Sequence, residues 1–212
     1  MTKRRYHQHC GVARALDVVG SRWTLLIVRN LLLGPLRFTD LRRGLPGITT
    51  NLLADRLKEM EAEGLIERVR APRSRSDRYA LTERGRALEP AILELGRWGW
   101  PYMSGREPDD HVDPAWGMLA LKRRFVPGPR SGLIELTLSG MPFTVGFGQG
   151  DMTVRRGATP EADAGLVATW PTMAAILYGG ASLAEAERSE ALVVRGRRAA
   201  LRAFADAFGL EQ

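Results

Sequence analysis

The sequence predicts a mainly α unit with a small β wing, followed by an α+β unit with a mainly antiparallel sheet. Three observations predict it. Helix-period patterns fill most of residues 11–103, interrupted by two short extended runs around a basic loop. From Ser131 onward the apolar period shifts to two. Between these regions lies SGREPDDHVDP, residues 104–114, rich in Gly, Pro and acidic residues. The boundary falls there, giving domains 1–105 and 106–212. A chain of 212 residues suits two domains, each long enough to bury its own core.

In the first half, residues 11–19 and 22–33 read as helices, broken at Gly20-Ser21 and stopped by Gly34-Pro35. Residues 37–43 form a short third helix, and Leu45-Pro46-Gly47 a turn. The fourth helix runs from Thr49 to about Glu63, with Thr49 or Thr50 as its N-cap. Leu52, Leu53, Leu57 and Met60 are its expected buried stripe, and Gly64 ends it. LIERVRA and RYALT are strands around the basic loop PRSRSD. Thr82 then caps a longer helix, to about residue 103, with a kink expected at Pro90. This order is that of a winged helix-turn-helix.

In the second half, Asp113-Pro114 opens a helix that closes at Pro127-Gly128-Pro129. LIELTL, PFTVGFG, DMTVRRG and AGLVATW alternate as strands. Pro171 opens a helix, Ser182 and Glu185 form a capping box for another, and ALVVRG is a last strand before a final helix.

Charge narrows the function. Residues 1–105 hold 19 Lys and Arg against 11 Asp and Glu, whereas residues 106–212 hold 12 against 13. A basic half joined to a neutral one is the balance of a nucleic-acid-binding module with a partner domain. A basic surface serving solubility is the plain alternative. No apolar run approaches the roughly 18 to 20 residues that span a bilayer. The segment MTKRRYHQHC has no apolar stretch behind it, so it does not read as a secretory signal, and Cys10 is the single cysteine. Together these point to the cytoplasm, with no membrane partner. Catalysis finds no support. His7, His9 and His111 are the only histidines, and no nucleophile–His–carboxylate spacing, phosphate-cradling Gly loop or Cys/His metal framework is present. No cofactor is expected.

A helix that reads bases presents short polar side chains at its N-terminal turn. Thr49, Thr50 and Asn51 fit that need, although Thr-Thr-Asn is also ordinary capping. Arg56 and Lys58 lie off the leucine stripe, within reach of phosphates or a guanine. Arg37 opens the third helix. Arg73, Ser74, Arg75 and Arg78 belong to the wing, where cations can straddle a minor groove or flanking phosphates. Double-stranded DNA is the expected partner.

Residues 10 to 88 resemble the HxlR-type winged helix regulators of bacteria, relatives of the MarR group. The resemblance rests on Cys10, then VVGSRWTLLIVRNLLLGPLRF, FTDLRRGLPGITTNLLADRLKEMEAEGLIERV and RYALTERGRALEP. Arg22 stands where the pattern usually has Lys, and Gly11 where it has Pro. The resemblance implies a homodimer, formed by the first helix and the long helix after the wing. It also implies a recognition helix in each half-site of a pseudo-palindromic operator, and a thiol sensor at Cys10 in some members. For Cys10 the residues leave packing, sensing and metal binding with His7 and His9 open; no metal site is expected.

Residues from about 115 to 210 resemble the sterol-carrier-protein-like domain, on ADAGLVATWPTMAAILYGG and on LVVRGRRAALRAFADAF. That likeness implies a hydrophobic small-molecule ligand. Trp116, Phe143, Phe147, Trp170, Met173, Ile176, Leu177 and Phe204 are candidate pocket walls, against the plainer and favoured reading of core. The whole reads as a DNA-binding regulator under the control of an apolar ligand. The alternative is a lipid-binding or scaffold protein that associates non-specifically with nucleic acid or an anionic surface.

Overall fold

The computed structural model describes residues 5–70, 76–103 and 110–211. The chain divides into two compact units, Met1–His111 and Val112–Gln212. The first contains α1 (Gly11–Val19), α2 (Thr24–Leu31), α3 (Phe38–Arg43), α4 (Thr50–Ala62), β1 (Ile66–Arg70), β2 (Asp77–Leu81), α5 (Glu83–Arg86) and α6 (Glu89–Gly99), then a 3-10 turn at Trp100–Tyr102.

Two elements depart from expectation. Helix α2 starts at Thr24 because Trp23 takes φ 81°, a left-handed backbone that cannot belong to the helix. The Arg22 guanidinium lies 5.0 Å from the centre of the Trp23 ring. The single kinked helix expected after Thr82 is instead two. Pro90 inside a continuous helix would lose its own hydrogen bond and press on the carbonyl of Arg86. The chain therefore ends α5 at Arg86, and α6 begins with Pro90 in its first turn, where no N–H is needed.

The core of this unit is built from α2, α3, α4 and the root of the hairpin. Ile27, Val28, Leu31, Leu41, Leu53 and Leu57 are all at most 1% exposed. Each such side chain contributes roughly 1.5–3 kcal/mol by leaving water. Thr24 and Asn30 of α2 are the polar residues buried among them, and the Asn30 amide donates to the Gly44 carbonyl, 3.2 Å away. Gly44 carries no side chain because a Cβ there would stand 2.9 Å from that amide nitrogen. This contact ties the end of α3 to α2 just before the turn into α4.

Thr49 caps α4, its hydroxyl accepting from the Leu52 N–H at 3.3 Å. Gly64, at φ 68°, ends it in a Schellman arrangement in which Leu65 N–H bonds Met60 carbonyl and Gly64 N–H bonds Glu61 carbonyl. β1 and β2 pair antiparallel from Ile66↔Leu81 to Arg70↔Asp77. Leu36 adds a third short segment, exchanging two backbone hydrogen bonds with Tyr79. The Thr82 hydroxyl caps α5 and donates to the Gly64 carbonyl at 2.7 Å, which fastens the hairpin to the end of α4.

The second unit holds α7 (Pro114–Lys122), β3 (Gly132–Leu138), β4 (Met141–Gly148), β5 (Asp151–Arg156), β6 (Ala164–Ala168), α8 (Trp170–Tyr178), α9 (Leu183–Arg188), β7 (Leu192–Gly196) and α10 (Arg198–Phe208). Its five strands run in the order β5-β4-β3-β6-β7, and only the β3–β6 pair is parallel. The period of two sends Ile134, Leu136, Phe143, Val145, Val154 and Leu166 to one buried face. Phe204 and Phe208 of α10 meet Phe147 of β4 there, with ring centres 6.1 and 5.8 Å apart. Asp113 and Thr169 cap α7 and α8, and Ser182 with Glu185 forms the capping box of α9. Arg124 donates to the carbonyls of Leu177, Phe208 and Gly209, closing the otherwise open ends of α8 and α10.

Candidate nucleic-acid interface

The buried stripe of α4 decides what its other face offers. Leu53, Leu57 and Met60 are buried and lie within about 60° of one another around the helix. Leu52, expected in that stripe, is about 100° away and 37% exposed, so it flanks the stripe. Opposite the stripe lie Asn51, Ala54, Asp55, Lys58 and Ala62, all exposed. This outward face is made of short side chains apart from Lys58. A helix of that profile approaches a partner surface closely.

Thr49, Thr50 and Asn51 are exposed at the N-terminal turn of α4, where the leading N–H groups also point outward. Thr49 is engaged as the cap. Arg56 is only 16% exposed and is ion-paired with Glu59 one turn on. Arg37 is exposed at the N-cap of α3. Arg78 is half-buried on β2, opposite Val69. Arg73, Ser74 and Arg75 lie outside the described residues.

Two residues escaped the sequence reading. Arg42 and Arg43 on α3 line an open cleft of about 280 Å³ together with Phe38 and Thr39. Their signal was the doubled arginine in FTDLRR, which the short apolar pattern of that helix overshadowed. A third, Arg68 on β1, forks onto Glu61 of α4, with Nε at 2.9 Å and a terminal nitrogen at 3.2 Å. It also lies 5.5 Å over the Tyr79 ring. The hydrogen bond to Glu61 is the largest cause raising its pKa further. This fork joins the wing to the helix beside it.

Cys10 is exposed at the N-cap of α1. The backbone N–H of Ala13, then that of Val12, holds its thiol below the ordinary value. Among the described residues no group of three or more His, Cys, Asp and Glu is placed to hold a metal ion. No helix among them is long and apolar enough to cross a membrane. In the second unit Phe143, Met173, Leu177 and Phe204 are at most 1% exposed, and Phe147 and Ile176 are also buried. Trp116 and Trp170 are half-buried, and the six-membered ring of Trp170 packs directly against Gly117.

A trihelical core, a helix with an exposed polar leading turn, and a hairpin fastened to that helix define a winged helix-turn-helix module, here followed by an α+β unit. The HxlR-like helix-turn-helix family matches residues 18–107, within the first unit. The HTH-type transcriptional regulator YvaP of Bacillus subtilis is 38% identical over 86 residues, 40% of this chain and 80% of that protein. An HTH-type transcriptional regulator of Methanothermobacter thermautotrophicus is 36% identical over 106 residues, 50% of this chain and 81% of that one. The chain belongs to the HxlR-like helix-turn-helix family. Among solved structures, the redox regulator HypR in its reduced form is 35% identical, spanning 43% of this chain and 92% of that one, with a TM-score of 0.41. The reduced form of the transcriptional regulator YodB from Bacillus subtilis is 34% identical, spanning 49% and 100%, with a TM-score of 0.40.

Proposed function

We propose that the protein is a transcriptional regulator that binds a pseudo-palindromic DNA operator as a homodimer. The observation that carries this reading is α4, with its leucine stripe buried and Thr50, Asn51 and Lys58 exposed on its outer side. Its relatives are named HTH-type transcriptional regulators, which supports the same assignment. In the complex α4 lies in the major groove, and Thr49, Thr50 and Asn51 approach base edges. Lys58, Arg37, Ser74 and the wing cations Arg73, Arg75 and Arg78 hold the backbone. Arg56 joins them by exchanging Glu59 for a phosphate. Arg42 and Arg43 extend the same basic surface along α3.

Dimerisation is supported by apolar surface left on two helices. Val12 and Leu16, one turn apart on α1, are exposed, as are Leu95 and Trp98 on α6. Trp98 is 67% exposed and meets Tyr102, itself 70% exposed, with ring centres 5.0 Å apart and planes tilted by 47°. Side chains of this size left in water on a folded domain await a partner surface. The α+β unit, in this reading, takes a hydrophobic small molecule between its sheet and helices, among Trp116, Phe143, Phe147, Trp170, Met173, Ile176, Leu177 and Phe204. Such a ligand regulates only if it binds the DNA-bound and free states with different affinity.

The test is selection from a randomised duplex pool with the full chain, followed by sedimentation of the selected complex. Enrichment of a two-fold symmetric sequence bound by two copies is the expected outcome. Binding indifferent to sequence would favour the non-specific scaffold instead.

A further inference from the structure

Asp55 stands at the middle of the outward face of α4, one turn after Asn51 and three residues before Lys58. Its carboxylate is exposed and makes no ion pair or hydrogen bond with a described side chain. The neighbouring acid, Glu59, is by contrast neutralised by Arg56, and Glu61 by Arg68. The rest of the outward face of α4, Asn51, Ala54, Lys58 and Ala62, is basic or neutral. A free carboxylate there is repelled by phosphate at every approach, so it lowers affinity for DNA in general. That cost is recovered only where a base edge offers a donor.

In the major groove the donors are the exocyclic amines of cytosine and adenine. Adenine sets its N7 acceptor beside the amine, and guanine and thymine present acceptors at the corresponding edge. A carboxylate meets repulsion at all three. Cytosine presents its N4 amine beside its own C5–H, the one neighbouring acceptor being O6 of the paired guanine, and a carboxylate accepts from that amine. We propose that Asp55 is a specificity-determining residue that accepts a hydrogen bond from a cytosine N4 amine in each half-site. The inference rests on the reading of α4 as the base-reading helix. The rise from Asn51 to Asp55 is about 6 Å along the helix, against about 3.4 Å per base pair. The cytosine therefore lies one or two base pairs from the position read by Asn51. The small side chains of Ala54 and Ala62 on the same face leave the short aspartate able to reach the groove floor.

The test compares the full-length protein with its Asp55→Asn variant by selection from a randomised duplex pool, followed by titration of single-base variants of the enriched site. The asparagine keeps the shape, removes the charge and adds a donor that guanine and thymine accept. Wild type is expected to enrich cytosine at one position of each half-site, by about tenfold or more over the other bases. The variant should lose that preference at this position alone and bind unrelated duplexes more tightly. Identical base preferences at every position in the two proteins would overturn the assignment of Asp55. Failure of the wild type to enrich any sequence would overturn the base-reading helix itself, and the proposal with it.

Discussion

Gly117 has no room for a methyl group: a Cβ there would stand 2.0 Å from the Trp170 ring. Both residues are locally unremarkable in the sequence, and only the packing of α7 against α8 joins them. Gly117→Ala should destabilise the α+β unit by about 1–3 kcal/mol, as overpacking does, measured by thermal unfolding followed through tryptophan fluorescence. An unchanged transition would mean that the ring is not held over the glycine. Cys10 supports a second expectation at this scale. The Ala13 and Val12 amides at the start of α1 favour the thiolate, so the thiol loses its proton at lower pH than an ordinary cysteine. The rate of alkylation by iodoacetamide should therefore rise with a midpoint below the usual value of about 8.5. A midpoint at or above that value would show that the first-turn amides do not reach the sulfur in solution. The basic run KRR ahead of Cys10 is visible in the sequence; the amides are placed only by the start of α1.

Among elements, α4 was the most legible. Its cap, stripe and glycine stop are all short-range signals, set by a few consecutive residues. Thr49→Ala should cost about 0.5–2 kcal/mol of stability through the lost cap, while Thr49→Ser should retain most of it. Chemical denaturation of both variants separates the two; an equal loss would mean that the methyl, and not the hydroxyl, matters. Leu52 was misplaced because adjacent leucines look alike in a pattern, and the core had room on one side only. The α5–α6 break and the left-handed Trp23 were likewise hidden. The first depends on whether a proline is absorbed by a kink or by a restart. The second depends on the surrounding fold imposing a backbone that tryptophan alone avoids. Arg56 joined the candidate contacts on helical position, yet its pairing with Glu59 is equally a matter of i, i+3 spacing and was open to inspection.

At the scale of the whole molecule the exposed apolar groups on α1 and α6 outweigh any single ion pair. If the proposed homodimer forms through these helices, Val12→Glu and Trp98→Glu should each shift it to monomer in sedimentation, because a carboxylate cannot be buried unpaired in an apolar contact. DNA affinity should fall in parallel, since two half-sites are then bound without linkage. Retention of the dimer by both variants would assign assembly to another surface. The charge division between the halves, the change of apolar period at Ser131 and the acid-rich linker were enough to predict two units of different class. The α4 leading turn and the caps at Thr82, Asp113 and Ser182 also followed from local chemistry, which acts within a few residues. The strand order β5-β4-β3-β6-β7, with its one parallel pair, did not. Nor did the Arg124 closure of two helix ends, the Arg68–Glu61 fork, or the outward position of Asp55 opposite a fully buried stripe. These depend on which distant residues come to share a face. Alternating patterns say that a strand has an inner side, and packing alone says what lies against it.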